Sequence, residues 1–384
     1  MKQIYNGKIL TPEGWLKNGS ILVEDNKIVE VLNIDLPIVG AERVDAKGGS
    51  IVPGGVEQHC HGGGGRDFME GTDEAFRIAV DAHMQHGTTS IFPTLSSSTM
   101  PMIYSAVETV EKLIKEPNSP VLGLHLEGHY LNPMFAGGQM MENIKNPDPE
   151  EYIPLLNSTN VVKRWSTAPE LPGTEDFAKY CQRHGVLNAL AHTKANYHEV
   201  LQGFHWGFTH ANHLFNAMRG FHKNGEFKHE GTVESVLDIE GITVEMIADG
   251  IHVPPVMLHM VYSIKGVERT TLITDALAVA ASQSTTAFDP RVIIEDGVCK
   301  LKDRSALAGS IATMDRLIRT AVQQARIPME DACRMVSETP AKIMHVYDRK
   351  GSLQKGKDAD IVIYNDKIEP TYVMAMGKVV RDER

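Results

Sequence analysis

The sequence predicts a (β/α)₈ barrel of the TIM type joined to a small β-sandwich domain that is built from both chain ends. Between about Ile51 and Val346, strand-length apolar runs alternate with helical stretches, which is typical of βα units around a parallel sheet. Eight such runs occur over about 290 residues, a length that fits one barrel. Both chain ends instead carry short apolar runs cut by Gly and Asp, a pattern that indicates short strands and turns.

The two chain ends share this pattern closely enough to predict one unit. In the first fifty residues the Asn18-Gly19 pair precedes ILVEDNKIVEVL, and Asn-Gly favours a hairpin turn. The last forty residues contain KGSLQKGKDADIVIYNDK and EPTYVMAMGKVVRDER. Because chain termini often lie close together, we expect the ends to pair. The predicted domains are 1–50 and 347–384 for the sandwich and 51–346 for the barrel.

The predicted barrel strands follow one another through the middle of the chain. In order they are SIVPGGVEQH, TTSIFPT, PVLGLHLEG, NVVKRWSTA, GVLNALAHT, GFTHANHL, GITVEMIAD and TTLITDA. Helical stretches such as TDEAFRIAVDAHMQHG and IATMDRLIRTAVQQAR lie among them. In this fold the catalytic groups stand at the C-terminal ends of the strands.

Composition excludes several classes of function. The chain has 38 Lys and Arg against 49 Asp and Glu, a net charge of −11, whereas nucleic acid binding needs clustered cations. No run approaches the roughly 20 apolar residues of a membrane helix, and MKQIYNGKIL lacks the apolar segment of a secretory signal. We therefore expect a soluble cytoplasmic protein that binds neither nucleic acid nor membranes. Its four cysteines form no CxxC pair, which indicates reduced thiols.

Histidines and carboxylates stand at the ends of five predicted strands. His59 and His61 end the first strand and share one of its faces, because side chains alternate along a strand. The others are Glu127 on the third strand, His192 on the fifth, His213 on the sixth and Asp275 on the eighth. Nitrogen and oxygen ligands of this kind suit Zn²⁺, Fe²⁺, Mn²⁺ or Co²⁺. The sequence therefore predicts a metal centre at one end of the barrel.

The segments around these residues resemble a known enzyme family. In chain order they are PGGVEQHCHGGGG, LHLEGHYLNP, AHTKA, NHLFNAM, ADGIHV, LITDA and ALAGS. Together they are similar to the amidohydrolase superfamily and, within it, to the N-acetylglucosamine-6-phosphate deacetylase family. The resemblance runs through the whole barrel and both flanking β segments. It implies a hydrolase that converts N-acetyl-D-glucosamine 6-phosphate, or a close N-acetyl hexosamine 6-phosphate, into the amino sugar phosphate and acetate.

The resemblance also implies which residues hold metal. Glu127, His192 and His213 would hold one divalent ion, with water completing the site. His59 and His61 would hold a second ion. Family members that carry uncharged polar residues in place of this histidine pair work with one metal, so both one and two ions remain open. Zn²⁺ is the expected ion, with Fe²⁺, Mn²⁺ and Co²⁺ as alternatives.

Asp275 is the expected general base and general acid. A divalent metal lowers the pKa of its water from about 15.7 to about 7. A carboxylate at the end of the eighth strand is suited to take a proton from that water and later to hand it to the leaving nitrogen. The resemblance implies that His252, in ADGIHV, polarises the acetyl carbonyl.

The resemblance further implies a set of substrate contacts. They are Gly138 in AGGQ, Asn216 and Ala217 in HLFNAM, Leu307, Ala308 and Gly309 in ALAGS, and His252. Small residues in loops let backbone donors approach an oxyanion closely. The chain departs from the family at Gln139, where histidine is common, and at Lys228, where arginine is common. Lysine binds phosphate as a point charge without the fork of arginine, so we expect Lys228 to contact the 6-phosphate.

Two other functions stay open on the sequence alone. One is a different amidohydrolase, such as a D-aminoacylase or a cyclic-amide hydrolase. The other is a catalytically inactive relative that serves as a binding subunit, although a chain without the chemistry has no need of Glu127, His192, His213 and Asp275 together. The family resemblance implies a homodimer and leaves the hexosamine epimer open.

Overall fold

The structure, a computed structural model, describes all of residues 1–384. Eight strands form one sheet in which neighbours in space are neighbours in sequence, and every pairing is parallel. They are β1 (Gly55–Cys60), β2 (Thr88–Leu95), β3 (Leu124–Glu127), β4 (Val162–Thr167), β5 (Leu187–Leu190), β6 (Phe208–Ala211), β7 (Thr243–Ile247) and β8 (Thr270–Ile273). Each predicted strand segment overlaps one of them. The predicted (β/α)₈ barrel is confirmed.

The first and last strands of this sheet are joined just beyond their ends. The amide of Asp275 donates to the carbonyl of His59 at 3.0 Å, and the amide of His61 donates to the carbonyl of Ala276 at 2.8 Å. These bonds close the sheet into a barrel. They also fix the backbone of three predicted site residues in one place.

The helices follow the barrel strands along the chain. Their bounds are Asp73–Met84, Met100–Ile114, Pro149–Ser158, Thr174–Arg183, Tyr197–His205, Thr232–Asp238, Pro255–Lys265, Met314–Gln323, Met329–Val336 and Glu338–Ile343, with 3₁₀ turns at Phe68–Glu70, Pro133–Phe135, Met141–Asn143 and Val267–Arg269. Leu317, Ile318 and Ala321 show why such segments are helical, because their spacing places them on one buried face. They share an apolar core with Val244 of β7 and Leu272 of β8. None of the helices is both long enough and apolar enough to cross a membrane.

Two further sheets are built from the chain ends. One has the spatial order Lys27–Leu32, Ser20–Glu24, Lys2–Tyr5, Glu42–Asp45. The other has the order Lys378–Asp382, Pro370–Ala375, Ile361–Tyr364, Ser50–Pro53, Lys8–Thr11, Gly14–Leu16. One apolar core draws on both sheets, with Ile4 and Ile21 from the first and Ile51 and Ile363 from the second. The predicted small β-sandwich from both chain ends is confirmed.

The segment SIVPGGVEQH is divided between the sandwich and the barrel. Ser50–Pro53 pairs antiparallel with Ile361–Tyr364, whereas β1 starts at Gly55. Gly54 lies between them, and a Cβ at this position would stand 2.2 Å from the Thr89 side chain. Only glycine therefore lets the chain cross so close to β2.

Three two-stranded hairpins extend the loops that follow barrel strands. They are Gly62–Gly63 with Arg66–Asp67 after β1, His222–Asn224 with Phe227–His229 after β6, and Val292–Glu295 with Val298–Leu301 after β8. Loops at this end of a barrel carry its functional groups, so the hairpins surround the region where a site is expected.

Candidate active site

The predicted metal ligands and the predicted base meet at the C-terminal end of the barrel. They are His59, His61, Glu127, His192, His213 and Asp275, all of them buried. All but His59 line one cavity of about 510 Å³, and Nε2 of His59 lies 3.4 Å from Oε1 of Glu127. The structure therefore brings together residues that are far apart in sequence. Cys60 and Ala276, which are chain neighbours of site residues, are 216 residues apart and in contact.

Glu127 is at the centre of this cluster. Its Oε1 lies 2.8 Å from Nε2 of His213 and 3.2 Å from Nε2 of His192. The same oxygen lies 3.4 Å from Nε2 of His59, and Oε2 lies 3.3 Å from Nε2 of His61. One carboxylate thus faces four imidazole nitrogens.

Asp275 occupies the other side of the histidine pair. Its Oδ1 lies 3.2 Å from Nε2 of His61 and 3.6 Å from Nε2 of His59. Two overlapping groups of ligand atoms result, each with its members within 4.8 Å of one another: His59, His61 and Asp275 form the first, and His59, Glu127 and His213 the second. This geometry is compatible with one or two ions.

The donor atoms fit a divalent metal ion. Nε2 of His59 is fully buried and has no hydrogen-bond partner, although it faces two carboxylates. The opposite nitrogens of two of these histidines are engaged: Nδ1 of His59 contacts Glu245 at 3.0 Å, and Nδ1 of His192 contacts the Phe135 carbonyl at 2.8 Å. Hydrogen bonds on Nδ1 leave the Nε2 lone pairs free for a metal. The residues therefore fit a divalent metal site.

Strong electrostatic interactions follow from this crowding. Burial opposes charge on Glu127 and Asp275, but the surrounding histidines outweigh it and lower the pKa of both carboxyls. Burial also opposes charge on His61, yet hydrogen bonds to Asp275 and Glu127 raise the pKa of this histidine to about 9. Charged carboxylates at neutral pH are the form that ligates metals.

Strained backbone holds several of these side chains in place. His192, His213 and Asp275 have φ values of 46°, 22° and 47°, a region that costs non-glycine residues of order 1–3 kcal/mol each. All three stand just after barrel strands. The left-handed turn ends each strand abruptly at the residue whose side chain enters the site.

A buried ion pair, which the sequence pattern does not reveal, contacts the cluster. Glu245 on β7 is bonded to Arg164 on β4, and both are fully buried. Burial opposes the charge on Glu245, but Arg164 and His59 hold the pKa of this carboxyl well below its usual range. Glu245 also accepts from the amide of His213 at 3.2 Å. It thereby orients two predicted ligands.

Glu57 is a second buried carboxylate that contacts the backbone of the cluster, and the sequence pattern does not reveal this role. Its oxygens accept from the amides of His59 and Thr274, each at 3.0 Å. It therefore links the ends of β1 and β8. Burial raises the pKa of Glu57 to about 7.

The predicted substrate contacts lie around the same cavity. Gly138, Asn216, Ala217, His252, Leu307, Ala308 and Gly309 all line it. Nδ1 of His252 contacts Oδ2 of Asp249 at 2.8 Å, while Nε2 is buried without a partner. Burial opposes charge on Asp249, but the hydrogen bond from His252 lowers the pKa of this carboxyl. Asp249, three residues before His252 in ADGIHV, was not recognised from sequence.

Lys228 is not among the residues that line this cavity. It lies in the middle of the strand Phe227–His229 and is exposed. Its Nζ lies 6.0 Å from the centre of the Phe221 ring, and Phe221 and Phe227 are 62% and 67% exposed. The cation that does line the cavity is Arg291, which is paired with Asp289 at 2.6 Å.

Known proteins resemble this chain over its full length. It is 28% identical over 383 residues to the N-acetylglucosamine-6-phosphate deacetylase of Haemophilus influenzae, covering 98% of each chain. It is 27% identical over 377 residues to the N-acetylgalactosamine-6-phosphate deacetylase of Escherichia coli O157:H7, covering 97% of each. The crystal structure of N-acetylglucosamine-6-phosphate deacetylase from Pasteurella multocida has a TM-score of 0.93 at 27% identity, covering 98% of this chain and 99% of that one.

The family assignment agrees with the site. The predicted metal ligands at the ends of β1, β3, β5 and β6 and the predicted base at the end of β8 stand around a single cavity. Residues 50–380 match the sequence model of the Amidohydrolase family. The chain therefore belongs to the amidohydrolase family.

Proposed function

We propose that this protein is a metal-dependent deacetylase of N-acetyl amino sugar 6-phosphates, with N-acetyl-D-glucosamine 6-phosphate as its first substrate. The products would be glucosamine 6-phosphate and acetate. One observation carries the proposal: Asp275, the metal-ligand cluster and His252 surround one cavity. Relatives named as deacetylases of two epimeric sugar phosphates match nearly the whole chain, which supports this substrate class.

Zn²⁺ is the proposed ion. A bound divalent ion would lower the pKa of water from about 15.7 to about 7 and polarise the acetyl carbonyl. Glu127, His192 and His213 are the proposed ligands of one ion, and His59 and His61 of a second. The buried Nε2 of His59, which has no hydrogen-bond partner, supports the second assignment.

Asp275 and His252 have different proposed roles: Asp275 would transfer the proton, and His252 would polarise the acetyl carbonyl. The lowered pKa of Asp275 keeps its carboxylate charged at neutral pH, so it can accept a proton from water. It would then return this proton to the amide nitrogen, because an amine leaves poorly without one. The Asp249 carboxylate, at Nδ1 of His252, fixes the orientation of the imidazole, and an Nε2–H group of this ring would polarise the acetyl carbonyl oxygen.

The purified protein is expected to contain at least one divalent transition metal, because nitrogen and carboxylate ligands nearly close a site. Changing His59→Gln and His61→Asn together should lower the metal content by about one ion per chain. Elemental analysis of protein purified without chelators measures both. Full activity in metal-free protein would contradict the metal site, and an unchanged count in the double variant would remove the two histidines as ligands.

We further propose that the protein is a homodimer in which the hairpin carrying Lys228 contacts a second copy. The exposed rings of Phe221 and Phe227 on either side of it support contact with another surface, since exposed aromatic residues are enriched at interfaces. In that arrangement Lys228 would reach the 6-phosphate of a neighbouring site. Light scattering during gel filtration measures the oligomeric state, and a monomer would contradict this assignment.

Lys228→Ala is then expected to lower kcat/KM for the phosphorylated sugar about 10- to 150-fold, since a charge-assisted contact contributes roughly 1.5–3 kcal/mol. The unphosphorylated sugar should be little affected. Lys367→Ala, which removes an exposed lysine outside this hairpin, is the control and should behave as wild type. Equal slowing of both substrates, or of neither, would show that Lys228 is not the phosphate ligand.

A substrate panel tests the proposed activity. Metal-loaded protein is incubated with the gluco, galacto and manno forms of N-acetyl hexosamine 6-phosphate and with their unphosphorylated sugars. Acetate and primary amine should appear in equal amounts and fastest from a 6-phosphate. Adding an N-acetyl-D-amino acid and a cyclic amide to the panel tests the other amidohydrolase functions, and activity on those alone would contradict the proposal. Binding without turnover would instead identify an inactive binding subunit.

The cytoplasm is the proposed compartment. All four cysteines are free thiols and buried, and proteins of oxidising compartments more often carry disulfides. Fractionation of source cells with detection of the protein tests this location.

A further inference from the structure

Gln139 holds the central metal-ligand carboxylate by one of its two oxygens. Its side-chain Nε2 donates to Oε2 of Glu127 at 2.7 Å. Its Oε1 accepts from the amide of Ser97, also at 2.7 Å. The residue is only 6% exposed, so water competes little for either bond. Reversing the amide would place its oxygen against the carboxylate and its NH₂ against an N–H, so the orientation is fixed at both ends.

The bond from Gln139 fixes the orientation in which the Glu127 carboxylate faces the two histidines of the proposed first ion. Oε1 lies 2.8 Å from Nε2 of His213 and 3.2 Å from Nε2 of His192. Rotating the carboxylate plane away from this orientation would break the bond from Gln139 to Oε2. Outer hydrogen bonds of this kind orient a metal ligand and sustain its affinity.

The loop that carries Gln139 is also held by its backbone, through a second loop that lines the same cavity. Arg291 donates through Nη2 to the Gly138 carbonyl at 2.9 Å and through Nη1 to the Gln139 carbonyl at 3.3 Å. Asp289 fixes the guanidinium at 2.6 Å. Because two adjacent carbonyls of this loop are bonded to Arg291, the backbone that carries the Gln139 side chain is fixed close to Glu127.

We propose that Gln139 is a positioning residue that keeps Oε1 of Glu127 turned toward His192 and His213 and thereby tightens metal binding. It acts through Glu127. The inference rests on the metal site of the proposed function and is independent of the proposed substrate.

Zinc affinity in variants of Gln139 tests this role. Gln139→Met keeps the length of the side chain without its amide, and Gln139→Ala removes it altogether. Competition between each protein and a zinc chelator gives the apparent Kd for Zn²⁺, which should rise about 10- to 100-fold in both variants. Met140→Ala, a truncation of the adjacent cavity-lining residue, is the control and should keep the wild-type Kd. Replacing Zn²⁺ by Co²⁺ should also change the visible absorption spectrum in the Gln139 variants only.

Two results would overturn the proposal. One is an unchanged Kd for Zn²⁺ with an unchanged Co²⁺ spectrum in a folded variant, as judged by circular dichroism. The other is a raised KM for the sugar phosphate with unchanged metal affinity, which would make Gln139 a substrate contact. If the wild-type protein released no acetate from any sugar phosphate while Gln139→Met still weakened Zn²⁺ binding, the proposed function would fall and this inference would stand.

Discussion

Replacing Asp275 by asparagine is expected to lower kcat about 10²- to 10⁴-fold while leaving fold and metal content nearly unchanged. Asparagine has the same shape but cannot accept a proton from water or return one to the leaving nitrogen. The backbone hydrogen bond from the Asp275 amide to the His59 carbonyl does not depend on the side chain, so the barrel should remain closed between β1 and β8. Acetate release and elemental analysis on the same preparation measure both quantities.

Asp67→Asn is the matched control for this variant. Asp67 is another buried carboxylate that lines the same cavity, but its Oδ1 accepts from the amide of Met69 at 2.9 Å, a bond that asparagine can also make. Its kcat should therefore change far less. An Asp275→Asn protein that kept more than about a tenth of wild-type kcat would contradict the acid–base assignment.

Replacing Glu245 by glutamine is expected to lower the free energy of unfolding by about 3–5 kcal/mol, because the guanidinium of Arg164 would remain buried without its counter-charge. Both side chains have 0% exposure. Urea unfolding of metal-free protein measures the loss. Combining Glu245→Gln with Arg164→Met should cost less than the sum of the single changes, since the double variant buries no unpaired charge.

An exposed ion pair provides the comparison. Glu175 and Lys179 form a salt bridge on a helix surface, with side chains about half exposed. Glu175→Gln should therefore cost less than about 1 kcal/mol. If Glu245→Gln lowered the free energy of unfolding no more than this control, the buried ion pair would not stabilise the fold more than an exposed pair does. Its proposed role in orienting His59 would then be contradicted.

The barrel strands and the site residues at their ends were predictable from the sequence, because both depend on local sequence pattern. Strand-length runs gave the barrel strands, and alternation along β1 placed His59 and His61 on one face. Glu127, the last residue of β3, and Asp275, two residues beyond β8, were found because each stands at the end of a predicted strand. Strand ends in a parallel barrel meet at one edge, so local position was enough to predict that these side chains converge.

Contacts between residues that are far apart in sequence were not predictable from local pattern. Arg164 and Glu245 are polar residues inside strands, and nothing local shows that β4 and β7 place them in contact across the barrel. SIVPGGVEQH reads as one run because periodicity does not record a change of sheet at Gly54. The position of Lys228 depends on a hairpin whose direction the sequence pattern does not specify.

Loop contacts were the other gap. Gln139 and Arg291 are separated by more than 150 residues along the chain, and their contact arises only when two loops meet over the cavity. The sequence drew attention to Gln139 as a departure from the family, but its bond to Glu127 required coordinates.

Zinc titration of acetate release tests the central claim most directly. Chelator-stripped protein receives increasing Zn²⁺ while acetate is measured from N-acetyl-D-glucosamine 6-phosphate. The rate should be negligible without metal, rise in proportion to bound Zn²⁺ and level off at one or two ions per chain. An undiminished rate in metal-free protein, or no acetate at any zinc concentration, would contradict a metal-dependent deacetylase.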